Sequence, residues 1–268
     1  MPPALRPWFR LLRAGFQAQA RYLPAAAGGF IANTTFGFLK GAVLTAVVTS
    51  AGGAVAGYDL PTMAAYVWLS QGLIGVVNLA PRSDIADRIK SGDVAVDLLR
   101  PMNVLAATVA TDLGSGVFQI PIRLLPALLV GSFTTAMALP SAVAPYLLGA
   151  VAVLLAMVIS AIARFALAAC GFWVVETRGL QILYLVGSTF LAGLYTPLAL
   201  FPGWLRTVAL ATPFPAILQT PIDVISGRIV GREAVHAVAV QCGWLLVLVA
   251  LGSVLLHRGR LRMEVQGG

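Results

Sequence analysis

The chain has 268 residues, 59% of them hydrophobic and only 10% charged, with a mean hydropathy of +0.90 and a formal net charge of +8. That balance excludes an ordinary soluble domain and points to an all-α polytopic membrane protein. The basic excess reads as contact with the lipid bilayer and as orientation within it, so nucleic acid is not an expected partner.

Residues 1–24 carry Arg6, Arg10, Arg13 and Arg21 and no acid. At helical spacing these arginines fall near one stripe, with Leu5, Trp8, Leu12 and Phe16 on another, which predicts an N-terminal interfacial helix. No uninterrupted apolar run with a small-residue cleavage site follows, so a secretory signal is not expected. Six transmembrane helices are then predicted by length, at about 28–49, 60–79, 104–130, 142–170, 180–200 and 235–256.

Between the second and third spans, residues 82–101 hold eight of the chain's 18 basic and 10 acidic residues. Ser83 is a good N-cap, Asp84 and Asp87 favour the first turn, Ile85 and Ile89 share a face, and Gly92 can end the run. Asp93 can cap a second piece from Val94 to Leu99, after which Pro101 restricts Arg100 and can open the third span. The expected product is an amphipathic helical segment lying on the membrane surface, with apolar residues toward the membrane and charges outward.

Residues 201–231, between spans five and six, are too apolar for a solvated loop, and Pro202, Pro213, Pro215 and Pro221 break them into pieces too short to cross. Short re-entrant outer helices fit, provided their backbone is covered by protein or lines a wet cavity. Arginine and lysine in the N-terminal arm, in residues 82–101, near Glu176 and Arg178, and at Arg258, Arg260 and Arg262 fall on one side if the spans alternate. Arg206, Arg228 and Arg232 dissent. Both termini and the charged segment are therefore expected in the cytoplasm.

Ionisable groups within spans are costly and are functional candidates. Lys40, with Asn33, Thr34 and Thr35 one to two turns earlier, suits a pathway or a subunit interface, or else a snorkelling or ion-paired lysine. Gly37 and Gly41 would permit close helix approach. Asp112 and Arg123 are about 16 Å apart along a helix axis and are expected to pair with other helices. Arg164 can meet Asp112 or a lipid headgroup.

No phosphate loop is present: Asp84 stands where the first glycine before Lys90-Ser91 would be, Ile89 where the second would be, and Lys40 is followed by Gly41. No G-x-S-x-G elbow occurs, His236 and His257 lack ligand-spaced companions, and Cys170 and Cys242 form no CxxC pair. No catalytic residue, metal site or cofactor of the chain's own is expected.

The run Ile89-Lys90-Ser91-Gly92-Asp93-Val94-Ala95-Val96-Asp97-Leu98-Leu99-Arg100-Pro101 resembles a signature of ABC-2 type transporter permeases, in particular the six-span permeases related to viologen exporters. Thr196-Pro197-Leu198, Leu200-Phe201-Pro202-Gly203-Trp204-Leu205, Pro213-Phe214-Pro215 and Thr220-Pro221 resemble that family's segment after the fifth span. The ending Arg258-Gly259-Arg260-Leu261-Arg262 with Val265-Gln266-Gly267-Gly268 resembles its closing motif.

The resemblance implies that the whole chain is one transmembrane domain whose charged segment is the coupling helix docking on an ABC ATP-binding subunit. Asp84, Ile85, Asp87, Arg88, Ile89, Lys90, Gly92, Asp93, Asp97 and Arg100 are the candidate contacts. It further implies two ATPase copies, which carry ATP and Mg, and a second permease subunit, identical or homologous, with the first and fifth spans near the interface. Asn33, Thr34, Gly37, Lys40, Gly41 and Tyr195 are then candidates for the pathway or that interface, with Asp112, Arg123 and Arg164 as intramembrane charges. The expected activity is outward export of hydrophobic or cationic small molecules across the bacterial cytoplasmic membrane. An ion-coupled secondary carrier is the competing reading, although no inverted repeat is visible; an integral membrane enzyme lacks a polar constellation at one membrane face.

Overall fold

In lipid every backbone polar group needs an internal partner, so long apolar runs form long helices. The computed structural model describes residues 6–21, 23–82, 84–99, 102–174 and 176–262. Helix α1 (Arg6–Ala20) leads into α2 (Leu23–Ser50); a two-residue antiparallel hairpin, β1 (Ala54–Val55) with β2 (Tyr58–Asp59), then turns the chain into α3 (Leu60–Val77). Asp59 and Thr62 cap α3 reciprocally, and the hydrogen bonds from Thr62 hold the Asp59 carboxyl below the usual range. The charged segment forms α4 (Asp84–Ser91) and α5 (Val94–Leu98).

The third span runs as α6 (Val104–Gln119), a π-turn (Ile120–Leu124) and α7 (Leu125–Thr134). Pro121 and Pro126 lack the N–H that a regular ladder requires, so the helix widens by one residue there without stopping. It is followed by α8 (Ala144–Ala169), α9 (Arg178–Leu191), α10 (Gly203–Leu210), α11 (Phe214–Ile217), α12 (Gln219–Ile225) and α13 (Gly231–Arg260). Among the described residues five helical stretches are long and apolar enough to cross a membrane: Ala26–Ser50, Leu60–Val77, Val104–Thr134, Ala144–Phe172 and Gly231–Arg260.

Residues 180–200 depart from the expected single helix. With 14 residues, α9 extends only about 21 Å at helical rise, against a hydrocarbon thickness of about 30 Å. The chain breaks at Gly193, whose φ of +77° favours glycine and whose Cβ, if present, would lie 2.5 Å from Gln219 Oε1. It resumes in a 3-10 turn at Leu198–Leu200.

The most buried of the five long helical stretches is α3, with Tyr66, Trp68, Leu69 and Leu73 at 1% exposure or less, packed among α2, α6, α7, α8 and α12. Apolar side chains left exposed on α2 and α13, such as Phe36, Leu39, Leu246 and Val247, suit a hydrocarbon solvent. Along α6 lies α1, closer than its amphipathic pattern suggests: a Cβ on Gly15 would strike the Thr111 carbonyl, and one on Gly114 the Leu12 carbonyl. Ser115 Oγ donates to Gly15 O at 3.2 Å, and Phe16 meets Phe118 edge to face.

Candidate functional site

The charged segment is seated on the membrane domain by its apolar residues. Ile85, Ala86 and Val94 are buried, and Ile89 lies against Gly171 in the turn after α8. Asp84 and Asp87 sit in the first turn of α4 as expected, and Gly92 ends the run at φ +85°. Asp93 departs from its expected role: it makes no side-chain cap to α5, and its carboxylate accepts instead from Ser91 Oγ at 2.8 Å. Helix α6 is capped by Asn103, whose side chain accepts from Ala106 N at 3.2 Å. Ser83, Arg100, Pro101 and the end of the chain from Met263 lie outside the described residues.

Exposed on the segment are Asp87, Arg88, Lys90 and Asp93, together with two apolar residues, Val96 at 57% and Leu99 at 87% exposure. Arg88 Nε donates to Asp97 Oδ2 at 2.8 Å, bracing α4 against α5. Lys90 meets Glu176 at 3.3 Å across to the α8–α9 turn. The backbone N–H of Arg178 and the Lys90 ammonium hold the Glu176 carboxyl below the usual range.

Four charged residues tie this segment into the bundle. Arg82 bonds both Asp84 and Asp112, and Arg164 Nη2 donates to the second oxygen of Asp112 at 2.7 Å. The line Asp84–Arg82–Asp112–Arg164 thus joins the start of α4 to α6 and α8. Burial works against ionisation of Asp84, but the hydrogen bond and charge of Arg82 prevail and hold its carboxyl below the usual range. The sequence left the partner of Arg164 open, and the fold assigns it Asp112. Arg82 was not singled out, although its place two residues before Asp84 was a local signal. Arg123 receives no partner from these elements.

Lys40 neither snorkels nor pairs with a carboxylate among the described residues. Its Nζ donates to Ser70 Oγ and to the Leu194 carbonyl, each at 2.6 Å, and lies 4.3 Å over the Tyr66 ring. Tyr66 OH donates to the Gly193 carbonyl. The break after α9 thereby gives its free carbonyls to α2 and α3. Asn33 Nδ2 donates to Gln71 O at 3.0 Å, and Gly37 lies under the Trp68 ring, so this polar face of α2 turns toward α3. Gly41 packs more loosely, since a Cβ there would lie 3.8 Å from Val67; Thr34 is half-buried, and Tyr195 is 61% exposed.

At the opposite end from the charged segment, Asp223 is buried in α12 and accepts from Arg228 Nε at 2.6 Å, Gln219 Nε2 at 2.8 Å and Tyr58 OH at 3.2 Å. Burial and the Asp223 carboxylate push the Tyr58 phenol well up, and Arg228 is held charged by Asp223 despite its burial. The cluster was missed in the sequence. It accounts for one of the arginines that dissent from the charge bias, since Arg228 is neutralised locally. The segment Pro215 to Val224 is almost wholly buried, so its broken backbone is covered by protein.

Among the described residues no group of three His, Cys, Asp or Glu is placed to hold a metal. No curated protein matches the chain. The model of a family described as ABC-2 family transporter protein matches residues 38–267, which include the charged segment, the break after α9 and the buried outer helices. Built as a bundle of long apolar helices with one charged handle, the chain belongs to this family of transporter membrane proteins.

Proposed function

We propose that the chain is the permease subunit of an ATP-driven exporter, moving a hydrophobic or cationic small molecule outward by alternating access. ATP and Mg are bound by two copies of a separate ATPase subunit, and a second permease subunit, identical or homologous, completes the complex. The observation that carries this reading is the handle at α4 and α5. It presents charges of both signs and two exposed apolar side chains outward, and the Arg82–Asp112–Arg164 line braces it to two membrane helices. A rigid contact of that kind transmits closure of one body to another, and mixed charges give register.

In this reading α9 and the 3-10 turn cross together as a broken fifth span of six, α10 to α12 dip into the outer leaflet, α1 lies at the inner interface, and both termini are in the cytoplasm of a bacterial cell. Asp87, Arg88, Lys90 and Asp93 make the polar contacts with the ATPase, while Ile85 and Ile89 seat the handle on its own bundle. A cavity of about 400 Å³ between α2, α3 and the end of α7, lined by Phe38, Val67 and Trp68, supports an apolar cargo.

The test is co-expression with the candidate ATPase and purification through a tag on the permease. The ATPase is expected to co-purify, and reversing the charges of Asp87, Arg88 and Lys90 is expected to abolish its recovery while the permease stays folded. Unchanged recovery and activity in that variant would overturn the coupling assignment.

A further inference from the structure

Arg123 is the intramembrane arginine that the ion-pair line leaves out. It lies in the π-turn of the third span, its Nε is buried with no hydrogen-bond partner, and no carboxylate among the described residues pairs with it. Its path is nonetheless defined. The side chain runs between α2 and α3 where both lack side chains: a Cβ on Gly29 would collide with the guanidinium, and one on Gly75 would lie 2.5 Å from its Cδ.

Arg123 lines a cavity of about 530 Å³ between α1, α3, α6 and α8, and so does Gln119. Gln119 is only 8% exposed; its Nε2 donates to Gln19 Oε1 at 3.1 Å, and its own Oε1 accepts from nothing. Within the same cavity Arg82 and Arg164 are matched by Asp84 and Asp112, so Arg123 leaves one positive charge over. A guanidinium whose buried Nε has no partner and a buried amide oxygen without a donor are both costly. One ligand would satisfy the two if it carried an anion with an N–H or O–H donor beside it.

The position narrows the source. Gly75 is less than one turn from the end of α3 at Val77, beyond which the chain enters the charged segment. The cavity is lined from Gln119, Arg123 and Met157 within the spans to Pro81, Arg82 and Asp84 beside the charged segment, so it joins the apolar interior to a charged end of the bundle, as a lipid joins acyl chains to its headgroup; phosphate is the abundant anion of such a headgroup, and a guanidinium fork suits its oxygens. We propose that the cavity binds a phosphate-bearing group with an adjacent hydrogen-bond donor, supplied by a phospholipid with an ethanolamine or glycerol headgroup. Arg123 holds the phosphate, and Gln119 Oε1 accepts from the headgroup. Choline offers no N–H or O–H and does not complete the site.

The experiment uses the purified, delipidated full chain in detergent, followed by native mass spectrometry and thermal denaturation. Phosphatidylethanolamine, phosphatidylglycerol, phosphatidylcholine and soluble glycerol phosphate are added separately. The first two are expected to be retained and to raise the midpoint, and phosphatidylcholine to do neither. Arg123→Gln should weaken retention by about tenfold or more, and Arg123→Lys by less. Gln119→Leu should erase the preference over phosphatidylcholine. Equal retention of phosphatidylcholine by the unaltered chain, which requires no variant to fold, would overturn the proposal, as would undiminished retention in folded Arg123→Gln. Stabilisation by glycerol phosphate as strong as by lipid would keep the chemistry of the site and overturn the bilayer as its source.

Discussion

Arg164 on α8 and Asp112 on α6, 52 positions apart in the chain, meet at 2.7 Å, and the second oxygen of the same carboxylate takes Arg82. One acid thus serves two arginines from different elements. The side chains of Arg164 and Asp112 are only 6% and 12% exposed, so the pairing is scarcely screened.

Asp112→Asn is expected to leave the buried Arg164 guanidinium facing an uncharged group and Arg82 with Asp84 alone. Removing one partner of a buried pair costs about 3–5 kcal/mol, so the thermal midpoint should fall sharply. The double variant Asp112→Asn with Arg164→Gln should lose less than the two single losses added. Thermal denaturation of the four forms in detergent measures this; strict additivity would sever the proposed link.

The two apolar residues on the outer face of the handle separate docking from folding. Val96→Asp with Leu99→Asp should leave the permease midpoint nearly unchanged, because both side chains are exposed, and should lower recovery of the ATPase. Ile89→Ala should do the reverse, destabilising the permease by about 1–2 kcal/mol through lost packing, since Ile89 is partly buried. If both variants affect only stability, the outward face is not a docking surface.

Lys40 links α2 to α3 and to the break after α9 through two 2.6 Å hydrogen bonds. Lys40→Met keeps the volume and removes the donors, which leaves the Leu194 carbonyl without this partner. A loss of about 1–3 kcal/mol is expected, together with weaker coupling of transport to ATP hydrolysis. Comparing the thermal midpoint with the ratio of transport to ATPase rate decides between the two roles. A changed midpoint with an unchanged ratio assigns Lys40 to structure alone.

Asp84 gives the handle a pH dependence of known sign. Its folded carboxyl lies below the usual range, so its stabilising effect is fully present at neutral pH and is lost as the pH falls through the depressed value. With its side chain 57% exposed the pairing is screened, and about 0.5 kcal/mol is the expected scale. Asp84→Asn should remove that part of the acid limb in a plot of midpoint against pH. An acid limb of the same shape in wild type and variant would assign it to other carboxyls.

Five of the six expected spans were legible because crossing hydrocarbon is a local demand on composition, met by runs such as Leu60–Val77 and Gly231–Arg260. The two pieces of the handle were legible because first-turn acids and a helix-ending glycine act within a turn: Asp84, Asp87 and Gly92 stand as expected. Asp93 was misassigned because Ser91, two residues away, competes for its carboxylate.

What the sequence by itself determined, then, is which residues enter lipid, where charge gathers, and where the chain cannot continue a helix. Tertiary structure alone decided which charges meet. Lys40 finds Leu194 at a separation of 154 residues, Tyr58 finds Asp223 at 165, and α1 lies along α6 through Gly15 and Gly114. Such pairings follow from the order in which helices pack side by side, and no pattern within a single helix encodes its neighbours. The interrupted fifth segment has the same origin: Gly193 breaks where Tyr66 and Lys40 take up the carbonyls freed there, and those partners come from other helices.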